Sequence, residues 1–262
     1  MSGNLHEVIR SQNTPIPGTN VCSKNEVLTE LLSRPDIANT LPSELTVVPL
    51  TVSNVLYEQG DRIEFVYFPL DSVISEIAIT EDGTAIETSM IGRDSLTGIS
   101  TLLNSEICLQ STWVTISGSA IQLEAKLLGR LLVHNERALR SLLKCYRSLI
   151  TQLSQRCCCN TRHTIMERLC CWLLMIHDRV GPDNLKLTQE MIASRIGARR
   201  AGITVAAGIL QQMNAIDYRR GNLHIRNRTI LEQMVCECYN LMAVPFTPDN
   251  RFATQANANH NH

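Results

Sequence analysis

Residues 187–225 read LTQEMIASRIGARRAGITVAAGILQQMNAIDYRRGNLHI, and this stretch decides the fold. Thr188 stands where a helix N-cap belongs, and Glu190 falls in the first turn, beside the positive end of the helix dipole. Met191, Ile192 and Ile196 share one face, and Ala193 is small enough for a crossing helix to approach. Gly197 supplies the positive φ that ends such a helix. After Ala198-Arg199 a second helix begins near Arg200, with Ile203, Ile209 and Leu210 expected inside and Arg200, Ala201, Thr204 and Val205 outside. A helix, a tight glycine turn and a second helix opening on arginines make a helix-turn-helix. In that design the first helix crosses the phosphates and the second enters the major groove N-terminus first. The run from Tyr218 to Ile225 then reads as two short strands about a turn at Gly221-Asn222, with Arg219 and Arg220 beside its tip. Such a wing brings its cations to a DNA backbone.

The charge balance points the same way. The 262 residues carry a net charge of −1, but residues 1–159 hold 12 Lys and Arg against 17 Asp and Glu. Residues 160–235 hold 11 against 6, and all but one of the 11 are Arg. An acidic first part followed by a basic second part predicts that only the second meets a polyanion. No apolar run approaches the roughly 18–20 residues of a membrane helix, and the first 24 residues lack a signal-peptide apolar core. The expectation is a cytoplasmic protein that meets no membrane.

Upstream the texture is β-rich. Short apolar runs at Leu45–Leu50, Val55–Tyr57, Phe65–Phe68, Val73–Ile79, Ala85–Met90, Trp113–Ile116 and Ala120–Leu123 are split by turn residues, among them Asp82-Gly83 and Ser117-Gly118. Seven or eight short strands at this spacing predict an antiparallel barrel or jelly roll. A long helix follows. Leu128, Leu132, Asn135, Leu139, Leu142, Tyr146, Leu149 and Leu153 recur in steps of four and three. That 3.5-residue period predicts a dimer seam, with Asn135 fixing its register in a parallel homodimeric coiled coil. A further helix spans roughly 162–179 and stops at Gly181-Pro182, with Asp183-Asn184 as a turn.

This order of parts resembles bacterial transcription regulators of the cyclic-AMP receptor and fumarate-nitrate regulator type. The resemblance covers about residues 25–242 and is sharpest from Leu187 to Ile225 and at Cys236-Glu237-Cys238-Tyr239. It implies an α+β chain with an N-terminal antiparallel, cupin-like jelly-roll barrel, a long dimerisation helix and a C-terminal winged helix-turn-helix. The boundaries read as a disordered arm over 1–24, an effector barrel over 25–125 and a dimerisation helix over 126–158. The DNA-binding domain takes 159–235, and a C-terminal extension over 236–262 is disordered at its end. The resemblance implies a guanine contact for Arg200 and phosphate contacts for Thr188 and Gln189. Arg199, Ala201, Thr204, Arg219 and Arg220 complete the expected DNA surface. Ala201 and Val205 stand where the cyclic-AMP receptor has charged residues, so the operator differs. Double-stranded DNA, a second copy of the chain and RNA polymerase are the expected partners.

The effector site departs from that family. Its cyclic-nucleotide binders keep Gly-Glu for the ribose and Arg-Ser for the cyclic phosphate, but the best placement here gives Gly98-Ile99 and Gln110-Ser111. A buried phosphate without its arginine binds poorly. Arg93 in Gly92-Arg93-Asp94 is the candidate substitute anion site. No cofactor is expected and the effector is left open.

Ten cysteines include no Cys-x-x-Cys pair, so no metal site is expected. Cys157, Cys158 and Cys159 end the seam and allow a redox- or metal-responsive alternative, through an intersubunit disulfide or a shared soft metal. Cys170 and Cys171 beside Trp172 read as core. An enzyme is not expected, because no histidine lies between residues 7 and 133 to hold a metal in the barrel. A protein-interaction dimer would explain the seam but not the basic wing.

Overall fold

Alternating apolar residues and tight turns give the first half of the chain two antiparallel sheets. The structure is a computed structural model, and it describes residues 14–15, 22–41, 45–103, 106–133 and 135–243. The strands are β1 (Thr14–Pro15), β2 (Thr46–Leu50), β3 (Val55–Tyr57), β4 (Phe65–Pro69), β5 (Val73–Ile79), β6 (Ala85–Ile91), β7 (Ser111–Ile116) and β8 (Gly118–Glu124). One sheet runs β1-β2-β8-β4 and the other β3-β7-β5-β6. Val48, Phe68, Val114 and Ile121 are wholly buried in the core that both sheets share. Gly83 turns the β5–β6 hairpin at φ 81, and the Asp82 carboxylate accepts the Thr84 N–H at 3.0 Å. A single residue, Ser117, carries the chain from one sheet to the other. A Cβ on Gly118 would lie 2.7 Å from the Asp71 carbonyl oxygen, so glycine is required there.

Two short helices, α1 (Glu26–Leu32) and α2 (Pro35–Ala38), cover one end of this barrel. Asn25 caps α1 and also donates to the Pro69 and Ser95 carbonyls at 2.9 and 3.0 Å. The arm expected to be disordered over 1–24 is not wholly so: Thr14 and Pro15 pair with Val47 and Thr46, and Cys22 is buried. The remainder of that expectation, over 1–13 and 16–21, and the expected disorder from 244 onward lie outside the described residues.

The expected dimerisation helix is two helices, α3 (Ala125–Val133) and α4 (Glu136–Arg162). Asn135 does not sit in a seam. It is the N-cap of α4, accepting the Ala138 N–H at 3.0 Å, while its amide meets Asp36. Asparagine is among the strongest N-caps, and this role overrides its place in the 3.5-residue pattern. Ala138, Leu142, Cys145 and Leu149 are buried against the chain's own barrel, so this row is already occupied within one chain.

The second half is built on α5 (Ile165–Val180), opened by a capping box of Thr164 and Glu167. It continues with β9 (Asn184–Lys186), α6 (Gln189–Ile196), α7 (Arg200–Gln212), β10 (Ile216–Arg219), β11 (Asn222–Ile225), α8 (Arg228–Met234) and α9 (Cys238–Met242). The sheet order is β10-β11-β9, so Asn184 is not a turn residue: it opens a third strand and pairs with His224. Trp172, Cys170, Cys171 and Leu173 are buried in this second core, which also takes in Val73 and Met90 of the barrel. Among the described residues, no helix is long and apolar enough to cross a membrane.

Candidate nucleic-acid interface

Thr188 caps α6 by accepting the Met191 N–H at 3.1 Å, and Gly197 ends it in the left-handed region at φ 62. The Arg168 guanidinium donates to the Ile196 carbonyl, placing a cation at the negative end of α6. Ile203 and Leu210 bury the inner face of α7, whereas Ile209, expected inside, is 42% exposed. Gly202 makes the crossing of α7 and α5 possible, because a Cβ there would meet the Ile165 side chain at 2.5 Å. The outer face is left with Arg200, Ala201, Thr204 and Val205, all exposed, and Arg199 precedes it.

Hydrogen bonds tie together the elements that carry the expected DNA residues. The Thr204 hydroxyl donates to Gln189 Oε1 at 2.8 Å, joining the two helices. Tyr218 donates its hydroxyl to the Leu187 carbonyl at 2.7 Å, and the Leu187 N–H donates to the Gly221 carbonyl at 2.9 Å. The wing is thereby fixed beside the start of α6. Its turn falls one residue earlier than expected. Arg219 pairs with Asn222, so Arg220 and Gly221 form the tip with φ of 48 and 78. Positive φ at both central residues is the type I′ requirement. Arg219 lies 3.3 Å from Asp217, whose carboxyl is held below its usual range chiefly by a hydrogen bond from Arg226. Arg200 approaches Glu190 only at 3.9 Å between exposed side chains, a contact too loose to hold it.

Residues 167–234 match the family model of the Crp-like helix-turn-helix domain. The chain has a Crp-like helix-turn-helix domain on a Crp/Fnr-type fold. FixK2 from Bradyrhizobium japonicum is similar in structure with TM-score 0.63 at 15% identity, over 73% of this chain and 98% of that one. A transcriptional regulator of the CRP family from Thermus thermophilus gives 0.58 at 13%, over 76% and 98%. The c-di-GMP responsive global regulator CLP of Xanthomonas campestris gives 0.56 at 13%, over 72% and 97%. No curated protein matches the chain.

In this chain the helix-turn-helix part is docked on the chain's own barrel. Ser194 of α6 donates to the Ala85 carbonyl at 2.6 Å, and the Arg195 guanidinium stacks 5.1 Å from the centre of the Trp113 ring. Burial pulls the Arg195 guanidinium down from its ordinary range, with Glu87 opposing. Glu87 on β6 is the hub. It accepts from Trp172 Nε1 at 3.0 Å, from Ser75 Oγ and from Arg156 of α4. This one carboxylate, unsuspected from sequence, joins the barrel, α4 and α5.

Asp94 binds Arg179 of α5 at 2.7 Å, and Gly92 leaves room for the Arg179 stem, which a Cβ would meet at 2.6 Å. Arg93 is exposed on a cleft lined also by Arg179 and Arg228 and by Glu26, Asp94, Asp178 and Glu232. The Gly92-Arg93-Asp94 turn thus seats α5, in a cleft where Arg179 pairs with Asp94 and Arg228 with Asp178 and Glu232. Gln110 accepts from Thr88 at 2.9 Å, and Glu76, whose carboxyl is pushed up by burial, accepts from Ser89 at 2.6 Å. Of the three adjacent cysteines, Cys157 and Cys158 are exposed, and Cys159 is buried against Cys236.

Proposed function

We propose that the chain is a sequence-specific transcription regulator that binds double-stranded DNA as a homodimer. The observation that carries this reading is a Crp-like helix-turn-helix on which Thr188, Arg199, Arg200, Ala201, Thr204, Arg219 and Arg220 are exposed and Gln189, half-buried, is bonded to Thr204. Two such surfaces related by a two-fold axis read an inverted repeat with half-site centres about 10 bp apart. The dimer face is the row of α4 that the barrel leaves open. Leu143, Ile150 and Leu153 are 45%, 46% and 38% exposed. With the half-covered Leu139 and Tyr146 they recur in steps of four and three, which suits a coiled-coil seam. The reading places the protein where the chromosome is, in the cytoplasm, and assigns it no catalysis.

Arg200 opens the recognition helix, where a guanidinium can grip both acceptors of a guanine. Arg200→Ala therefore costs about 1–3 kcal/mol on the operator and relaxes one position per half-site, with little change on random DNA. Arg219→Ala or Arg220→Ala weakens both DNAs alike and flattens the salt dependence by about one phosphate contact per subunit. Selection of bound sequences from a random pool, with melting temperatures of the same variants, reads both effects. An unchanged selected motif for Arg200→Ala would remove this arginine from base recognition.

Cyclic AMP and cyclic GMP leave DNA affinity unchanged. No arginine stands at Gln110, whose amide oxygen already accepts from Thr88, and Ile99 stands where the ribose-binding Glu is required. Calorimetric titration with either nucleotide checks this, and micromolar binding would contradict it.

A further inference from the structure

The end of α4 and the segment between α8 and α9 bring four metal-ligating side chains to one point. Cys159 lies in the last turn of α4 and His163 is its C-cap, four residues on, so the two share a helix face. Cys236 and Cys238 approach from the far end of the chain. The donor atoms of all four lie within 4.8 Å of one another. Cys159 Sγ is 3.6 Å from Cys236 Sγ, and Cys238 Sγ is 3.6 Å from His163 Nδ1.

These distances have a chemical meaning. Zinc bonds of about 2.3 Å to sulfur and about 2.0–2.1 Å to nitrogen, set tetrahedrally, give S–S edges of about 3.8 Å and S–N edges of about 3.6 Å. A disulfide would need its sulfurs at about 2.05 Å. The second nitrogen of His163 is also placed as a metal-bound imidazole requires. Its Nε2 lies 3.3 Å from a Glu237 carboxylate oxygen, leaving Nδ1 free for the metal. Cys159, Cys236 and Cys238 are 5%, 4% and 1% exposed. Three soft donors and one imidazole, shielded from water, match a closed Cys3His site.

We infer that Cys159, His163, Cys236 and Cys238 bind one zinc ion that ties the end of α4 to the C-terminal end of the DNA-binding domain. The metal acts as a clamp. All four tetrahedral positions are taken by protein, so no position is open for a substrate. The inference stands apart from the DNA-binding reading, since it concerns composition and not operator affinity.

The full chain, purified without chelators, should contain stoichiometric zinc by elemental analysis. Replacement with Co2+ should give thiolate-to-cobalt charge transfer and the intense visible bands of a tetrahedral site. Cys236→Ser, Cys238→Ser and His163→Asn should each lose bound metal and those bands. Cys108→Ser, a buried thiol in the barrel, should keep both. The wild-type cobalt spectrum decides the matter if a ligand variant does not fold. Purified protein with no stoichiometric zinc and no tetrahedral cobalt spectrum would overturn the inference. So would a Cys159–Cys236 disulfide found by mass spectrometry in freshly purified protein.

Discussion

A chain carrying Leu143→Lys and Ile150→Lys together sediments as a monomer and loses roughly 10²–10⁴ in operator affinity. Both side chains are exposed on α4 at 45% and 46%, so lysine there leaves the monomer's own packing intact. In the dimer each change puts a charge into a closed apolar seam, and two-fold symmetry doubles the number. The adjacent row behaves differently. Leu142 and Leu149 are 0% and 4% exposed against the barrel, and lysine at both prevents folding instead of separating subunits. Cys157 continues the open row by one more step of four, so a parallel pair brings it close to its symmetry mate. A mild oxidant then cross-links the dimer through Cys157, which Cys157→Ser abolishes. Sedimentation and non-reducing electrophoresis check both statements. A Leu143→Lys, Ile150→Lys protein that remains dimeric would move the interface off α4.

Glu87→Ala destabilises the fold by about 3–5 kcal/mol, the usual result of stranding one partner of a buried ion pair. The Glu87 side chain is fully buried and that of Arg156 is 13% exposed. Removing the carboxylate leaves the Arg156 guanidinium, the Trp172 indole N–H and the Ser75 hydroxyl without their common acceptor. Glu87→Gln keeps an acceptor oxygen and loses only the charge, so it costs less. Urea denaturation of Glu87→Ala, Arg156→Ala and the double variant forms a cycle whose coupling should exceed about 1 kcal/mol. Strict additivity would mean that the pair contributes nothing of its own.

The barrel was legible because strand alternation and turn chemistry are local. Asp82-Gly83 names its own hairpin, and the run boundaries at Val55–Tyr57 and Val73–Ile79 match β3 and β5 to the residue. The helix-turn-helix was legible for the same reason, since Thr188 and Gly197 are end signals that act within a single turn. Which apolar row of α4 the barrel covers was not. α4 carries two adjacent apolar rows, through Leu142 and Leu149 and through Leu143 and Ile150, with the same 3.5-residue spacing. Only the position of the barrel determines which row is already covered. Asn135 satisfied two local rules at once, and sequence periodicity favours the wrong one. Glu87 with Arg156, and Cys159 with Cys236, meet across 69 and 77 residues. No local pattern marks such pairs; the only hint was Cys159 and His163 one helical turn apart, mirrored by Cys236 and Cys238.

The tip of the wing sets folding against function. Arg220 occupies the left-handed region at φ 48, a conformation that costs a side chain with a Cβ about 1–2 kcal/mol relative to glycine. Glycine or asparagine would satisfy the turn with less strain, yet the residue present is the long cation. Its side chain is exposed at the turn, where the proposed reading gives it a DNA phosphate to bind. Strain at this hairpin is the cost of reach, and the domain is less stable alone than its backbone allows. An engineer seeking heat resistance would change this arginine early, and on the proposed reading would thereby blunt the hold on DNA. Selection for thermal stability alone and selection for operator occupancy would separate at this codon.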